Sequence, residues 1–217
     1  MEKVYSLKNE YVKVAKTSFG GSQTFFRGSS KKQDCRKEKG GCGLVAITDV
    51  MSYLNNDTDV ISSDDYIKRF NSTVRKALWI PSRFGMHFIH LTLAMKKRLK
   101  TSRLDLNAKW CFSKKKLYPR IRQMLQNNIP VILNIPKKLG RKSKIKKLNL
   151  YNENMTVFDT VHSHYVVITG ITKENSVVFL EISSWGRKLY ISYPEYRAFC
   201  RSTITGILGN ILYISSK

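Results

Sequence analysis

Acidic residues are what this 217-residue sequence has least of: Asp and Glu together number 15 against 39 Lys and Arg, a formal charge of +24. So lopsided a balance would suit a disordered polycation, but 42% apolar residues supply enough material for a core and exclude wholesale disorder. No run of eighteen apolar residues occurs, and charges interrupt the first twenty positions, so neither a membrane-spanning helix nor a secretory leader is expected, and the reading is a cytoplasmic protein with no integral membrane association. Only four cysteines are present (Cys35, Cys42, Cys111 and Cys200), none in a CxxC pair, which excludes a disulfide scaffold. There is also no aromatic RNP pattern and no cysteine and histidine spacing of a zinc finger. The lysines therefore imply at most sequence-indifferent polyanion binding through clusters at 31–39, 96–100, 114–116 and 137–147, and they read first as a solvated face.

Two halves with different periodicity follow one another. Residues 1–41 read as an N-terminal arm of short extended pieces (Tyr11 to Ala15, Thr24 to Arg27) and a basic loop. Leu44, Ile47, Met51 and Leu54 recur at helical spacing and predict a helix over 43–54. Ser63 before Asp64 and Asp65 predicts the start of a second helix, with others expected at about 84–99 and 113–128. From Pro130 the period shortens to that of strands: 131–135, 164–171, 177–183, 189–192 and 207–214, with 137–160 expected as a long basic connection or flap. Helices first and strands afterwards argue for α+β, in one domain with a helical lobe at about 42–128 and a β-sheet lobe at about 129–217.

Three features bear on chemistry. Cys42 stands in Gly40-Gly41-Cys42-Gly43 at a predicted helix start, where backbone N–H groups and the helix dipole favour thiolate. His164 opens a predicted strand, His164-Tyr165-Val166-Val167-Ile168-Thr169-Gly170. Ile182-Ser183-Ser184-Trp185-Gly186 ends another in a tight turn. Together they compose a thiol nucleophile, a base and a group to orient the base. Two dispositions are simpler: His87 and His90, three apart on a helix, read as structural, and Cys111 and Cys200 read as core residues. Cys35 precedes a charged stretch read as non-helical and so lacks an activating helix start, while His162 is a fallback base.

With Gly41-Cys42-Gly43-Leu44-Val45-Ala46, Ile129-Pro130-Val131-Ile132-Leu133, the His164 strand and the Ser183-Ser184-Trp185-Gly186 turn in this order, the chain resembles the papain-like cysteine peptidases, most closely their bacterial C39-like branch. The resemblance implies a helical lobe carrying Cys42 packed against a twisted antiparallel sheet carrying His164, with no cofactor. It also implies a glutamine ahead of the cysteine that helps bind the oxyanion; Gln23 and Gln33 are both candidates, and Gln23 is favoured because a Gly-Gly turn followed by aromatics offers rigid support. The family's Asp or Asn is matched here by Ser183, and Glu181, two residues earlier, is the charged alternative. The implied activity is hydrolysis of a peptide or isopeptide bond in a peptide or protein substrate. The competing expectation is an inactive papain-like frame that uses its basic surface for an anionic partner such as nucleic acid.

Overall fold

The lysine-rich segment before Cys42, expected as part of a loop, is a helix in the computed structural model, which describes residues 1–27, 32–57, 59–77, 86–137, 147–202 and 210–216. In chain order the elements are β1 (Glu2–Ser6), β2 (Lys13–Val14), β3 (Ser18–Phe19), a 3₁₀ helix (Gln23–Phe26), α1 (Lys32–Gly40), α2 (Cys42–Leu54), α3 (Ser63–Ala77), α4 (Phe88–Thr101), β4 (Leu106–Trp110), α5 (Leu117–Gln126), β5 (Val131–Ile135), β6 (Leu148–Tyr151), β7 (Val157–Val161), β8 (His164–Glu174), β9 (Val177–Ser184), β10 (Arg187–Ser192), α6 (Tyr193–Arg201) and β11 (Ile211–Ser216). The fold class is α+β, as expected, and no helix among the described residues is long and apolar enough to cross a membrane.

The chain divides into two units, one formed by Met1–Asn9, Cys111–Ser183 and Lys188–Tyr213, the other by Glu10–Trp110, Ser184–Arg187 and Ile214–Lys217. This differs from the expected lobes: residues 111–128, with α5, group with the sheet, and most of the expected arm groups with the helices.

The helical unit is built around α2, which is buried along all but its last residue and therefore shows little amphipathicity. On α3 the side chains of Tyr66, Phe70 and Thr73 point inward at helical spacing, and its cap is Ser62, one residue earlier than expected, whose hydroxyl accepts the Asp65 N–H. Leu91, Ala94, Met95 and Leu99 form the inner stripe of α4, which starts at Phe88 because His87 caps it; the Phe84 start expected from the sequence lies outside the described residues. Helix α1 has no apolar stripe to advertise it. Its support is electrostatic, with Asp34 in the first turn, Lys37 and Lys39 in the last, and an Asp34–Lys37 ion pair of 2.8 Å that also reaches Asn71 through Lys37. The expected extended piece at Thr24 to Arg27 is instead mostly the 3₁₀ turn, closed by the Ser22 hydroxyl accepting the Thr24 N–H.

The sheet unit is antiparallel in the order β11-β5-β8-β9-β10-β6-β7, with β1 also on β8. Strand β8 is its spine: residues 164–168 pair with β5, 170–173 with β1, and 167–174 with β9. Its first nine residues are all buried, which explains a near-continuous apolar run where a one-faced strand would alternate. The expected flap is a correction: 148–161 form the β6–β7 hairpin, whose turn is fixed by the Asn152 side-chain Oδ1 accepting from the Asn154 and Thr156 N–H groups, while 138–146 lie outside the described residues. Helix α5 starts at Leu117 and not Ser113. Helix α6 was not anticipated, although Ser192 accepting the Glu195 N–H, with Pro194 following, is a readable start.

Candidate functional site

Cys42 is the first residue of α2, buried, and preceded by a residue that cannot cap with a side chain. The reason is steric: Gly41 turns the end of α1 directly into α2, its N–H donates to Lys37 O at 2.9 Å, and a Cβ there would lie 2.3 Å from that same oxygen. Glycine is thus dictated one position before the thiol, and the N-terminus of a 13-residue helix is left without a side-chain cap at Cys42. The other thiols differ in setting. Cys35 is half-buried inside α1, and the charged stretch it precedes, expected as non-helical, is the remainder of that helix; Cys111 faces Ser113 O at 3.4 Å; and burial pushes the Cys200 thiol up to about 11. No disulfide joins any of the four.

Gln23 is buried at the start of the 3₁₀ turn and its Nε2 donates to Glu38 O at 2.8 Å, in the last turn of α1. That bond draws the amide to the helix that runs into Gly41. The Gln33 side chain lies outside the described residues.

The segment leading to Gln23 is fixed by Asp49, a residue that sequence reasoning passed over. Two turns after Cys42 on α2, its two carboxylate oxygens accept the Gly21 N–H at 3.0 and 3.1 Å, with Tyr66 donating at 2.6 Å and Tyr11 at 3.5 Å. Burial pushes its carboxyl up to about 7 against the pull of the hydrogen bonds from Tyr66, Gly21 and Tyr11. Tyr66 lies so close that a Cβ on Gly21 would meet its hydroxyl at 1.9 Å, which dictates the second glycine of Gly20-Gly21. The signal was available: a single acid inside Leu44-Val45-Ala46-Ile47-Thr48-Asp49-Val50-Met51 must be paired if that helix is buried. The same segment binds the Trp185-Gly186 turn, where both residues have positive φ; Gly186 N–H donates to Gly21 O at 3.0 Å and its carbonyl accepts from Phe19 N–H at 2.9 Å.

His164 belongs to the other unit. It begins β8 directly after Ser163, whose φ of 57° marks the bend into the strand, and pairs in register with Ile135 of β5. Burial lowers its pKa to about 4, so the imidazole is neutral at pH 7. His162 is exposed.

Ser183 pairs with Val167 across β8 and β9. Directly opposed residues of an antiparallel pair project to the same face, and alternation puts Val167 and His164 on opposite faces. Ser183 therefore projects away from the His164 face. Glu181 shares the Ser183 face and is engaged there: Thr169 Oγ1 donates to it at 2.9 Å and Lys188 Nζ stands 3.3 Å from its other oxygen.

In comparisons with known proteins, no family model and no curated protein matches this chain.

Proposed function

We propose that this protein is a papain-like, C39-like thiol acyl hydrolase in which Cys42 is the nucleophile and His164 its base, cutting a peptide or isopeptide bond. The observation that carries the reading is the junction of α1 and α2, which puts Cys42 at an uncapped helix start and holds the Gln23 amide against the last turn of the preceding helix. Sulfur attacks the carbonyl carbon as its proton passes to neutral His164; the resulting oxyanion takes hydrogen bonds from the Cys42 N–H and from the second N–H of Gln23 Nε2. A donor of this kind is typically worth ~3 kcal/mol of barrier. The imidazolium then protonates the leaving amine, and water, deprotonated by the same imidazole, releases the acyl group and restores the thiol.

In this reading Ser183 is not the group that orients the base, because it lies on the opposite face from His164, and Glu181 is engaged by Lys188 and Thr169. That same observation favours a second reading, a papain-like frame that binds an anionic partner without turnover. Iodoacetamide labelling read by peptide mass spectrometry, with hydrolysis of a fluorogenic peptide pool, separates the two. Cys42 is expected to be modified first, and Cys42→Ala and His164→Ala to abolish hydrolysis while Ser183→Ala preserves it. Labelling without any turnover selects the binding frame, and earlier modification of Cys35 or Cys111 removes the catalytic assignment.

A further inference from the structure

Helix α4 (Phe-Ile-His-Leu-Thr-Leu-Ala-Met-Lys-Lys-Arg-Leu-Lys-Thr) contains no acidic residue, and its outward face is unlike any other in the described structure. Ile89 and Leu93, one turn apart, are 50% and 57% exposed. At 100° per residue, Lys96 and Lys100 continue the same line along the helix, with His90 and Lys97 at its flank, all exposed. None of the three lysines joins an ion pair with a described residue. By contrast, α3 presents mixed charge, with Asp65 paired to Lys68, and α5, also free of acid, turns Arg122, Gln123 and Gln126 outward with no exposed aliphatic residue. Charge alone would be a solvated surface; two exposed aliphatic side chains one turn apart and in line with the lysines make an amphipathic face suited to a partner that takes both.

We propose that α4 is an interfacial helix that docks on an anionic phospholipid surface, with Ile89 and Leu93 entering the acyl boundary and Lys96, Lys97 and Lys100 lying at the headgroup phosphates. The inner stripe of Leu91, Ala94, Met95 and Leu99 stays in the core, so the helix need not leave the fold to bind. Charge complementarity selects the occupant: every titratable side chain on this face is basic, and lysine stems are long enough to reach phosphates while the apolar pair sits deeper. A nucleic acid would satisfy the lysines and leave Ile89 and Leu93 in water or against phosphates.

The test is co-sedimentation of the full chain with phosphatidylcholine vesicles, with and without phosphatidylglycerol, beside binding to duplex DNA. The protein is expected to bind the vesicles that contain phosphatidylglycerol and not those of phosphatidylcholine alone, and to bind them more tightly than duplex DNA. Lys96→Glu/Lys97→Glu/Lys100→Glu should weaken that binding by at least ~100-fold, since each lysine near such a surface contributes about fivefold. Ile89→Lys/Leu93→Lys decides the matter, because it adds two positive charges while removing the apolar pair. It should weaken vesicle binding about tenfold and strengthen DNA binding, with the thermal unfolding transition confirming a folded variant. Stronger vesicle binding by this variant, or binding of the parent to duplex DNA in preference to vesicles, overturns the proposal in favour of simple polyanion attraction.

Discussion

Stability between pH 4 and 6.5 should reflect two buried groups pulling in opposite directions, and Asp49→Asn exposes the conflict. The Asp49 carboxyl is pushed from 3.8 to about 7, so the folded state holds a proton that the unfolded chain releases. Its contribution is fully present below pH 3.8 and is lost as pH rises to 7, a loss of about 4 kcal/mol. His164 is lowered from 6.5 to about 4, so here the unfolded chain takes the proton first. That contribution is present above pH 6.5 and is lost as pH falls to 4, by about 3 kcal/mol. The windows overlap and the slopes nearly cancel, which predicts a parent protein with little pH dependence from these groups across the overlap. Asn at position 49 keeps an acceptor for the Gly21 N–H or the Tyr66 hydroxyl but has no charge to desolvate. In urea titrations at pH 4, 5 and 8, Asp49→Asn should be about as stable as the parent near pH 4, within ~1 kcal/mol for a lost hydrogen bond, and more stable by about 3 kcal/mol at pH 8. Because Asp49 and His164 belong to different units, transitions that come apart in urea should carry opposite pH slopes. A variant less stable than the parent by one constant amount at every pH would refute the reasoning, because it would mean that the hydrogen bonds hold the carboxylate ionised and burial does not dominate.

Gly21→Ala should cost about 2–4 kcal/mol, because its Cβ would fall 1.9 Å from the Tyr66 hydroxyl and the buried ring cannot yield without breaking the Asp49 cluster; chemical denaturation measures it. Lys188→Met should destabilise the sheet unit by about 2 kcal/mol and Glu181→Gln by less, since the first leaves a buried carboxylate with Thr169 as its remaining described partner and the second leaves an amide that Thr169 still satisfies. Equal costs in equilibrium unfolding would show that the charge on Glu181 contributes little.

The elements that the sequence revealed are those whose signal is local. Val131–Ile135 was legible to the residue because Pro130 opens it and four of the next five residues, Val131, Ile132, Leu133 and Ile135, form a short apolar run. The α2 helix was legible from apolar spacing, and its start from the glycines that the α1–α2 junction requires. Helix α1 was hidden because a helix held by capping charges and an Asp34–Lys37 pair looks, as a string, like a basic loop. The β6–β7 hairpin was hidden by its shortness: Leu148 and Leu150 make only two buried alternations before the Asn152 turn. β4 similarly offers two buried positions, Ala108 and Trp110, too few for a period to emerge.

Register is the property that no local signal carried, and it bears most on the chemistry. That Ser183 and Glu181 share a face follows from period two within one strand and could be read from the string. Which face of β8 they share follows only from the Val167–Ser183 pairing, and a slip of one residue would have put both on the face of His164. The bulge between Ile168 and Gly170 shows how the strand accommodates this pairing: Thr169 is the extra residue, its hydroxyl donates to Glu181, and the carboxylate is thereby drawn along β9 toward Lys188 on β10, away from the strand start. A motif match tolerates an offset of one position, whereas an orienting hydrogen bond does not. The polar residue before Trp185-Gly186 is therefore a marker of the turn that ties to Gly21, and Ser183→Ala should leave the reactivity of Cys42 unchanged where His164→Ala alters it.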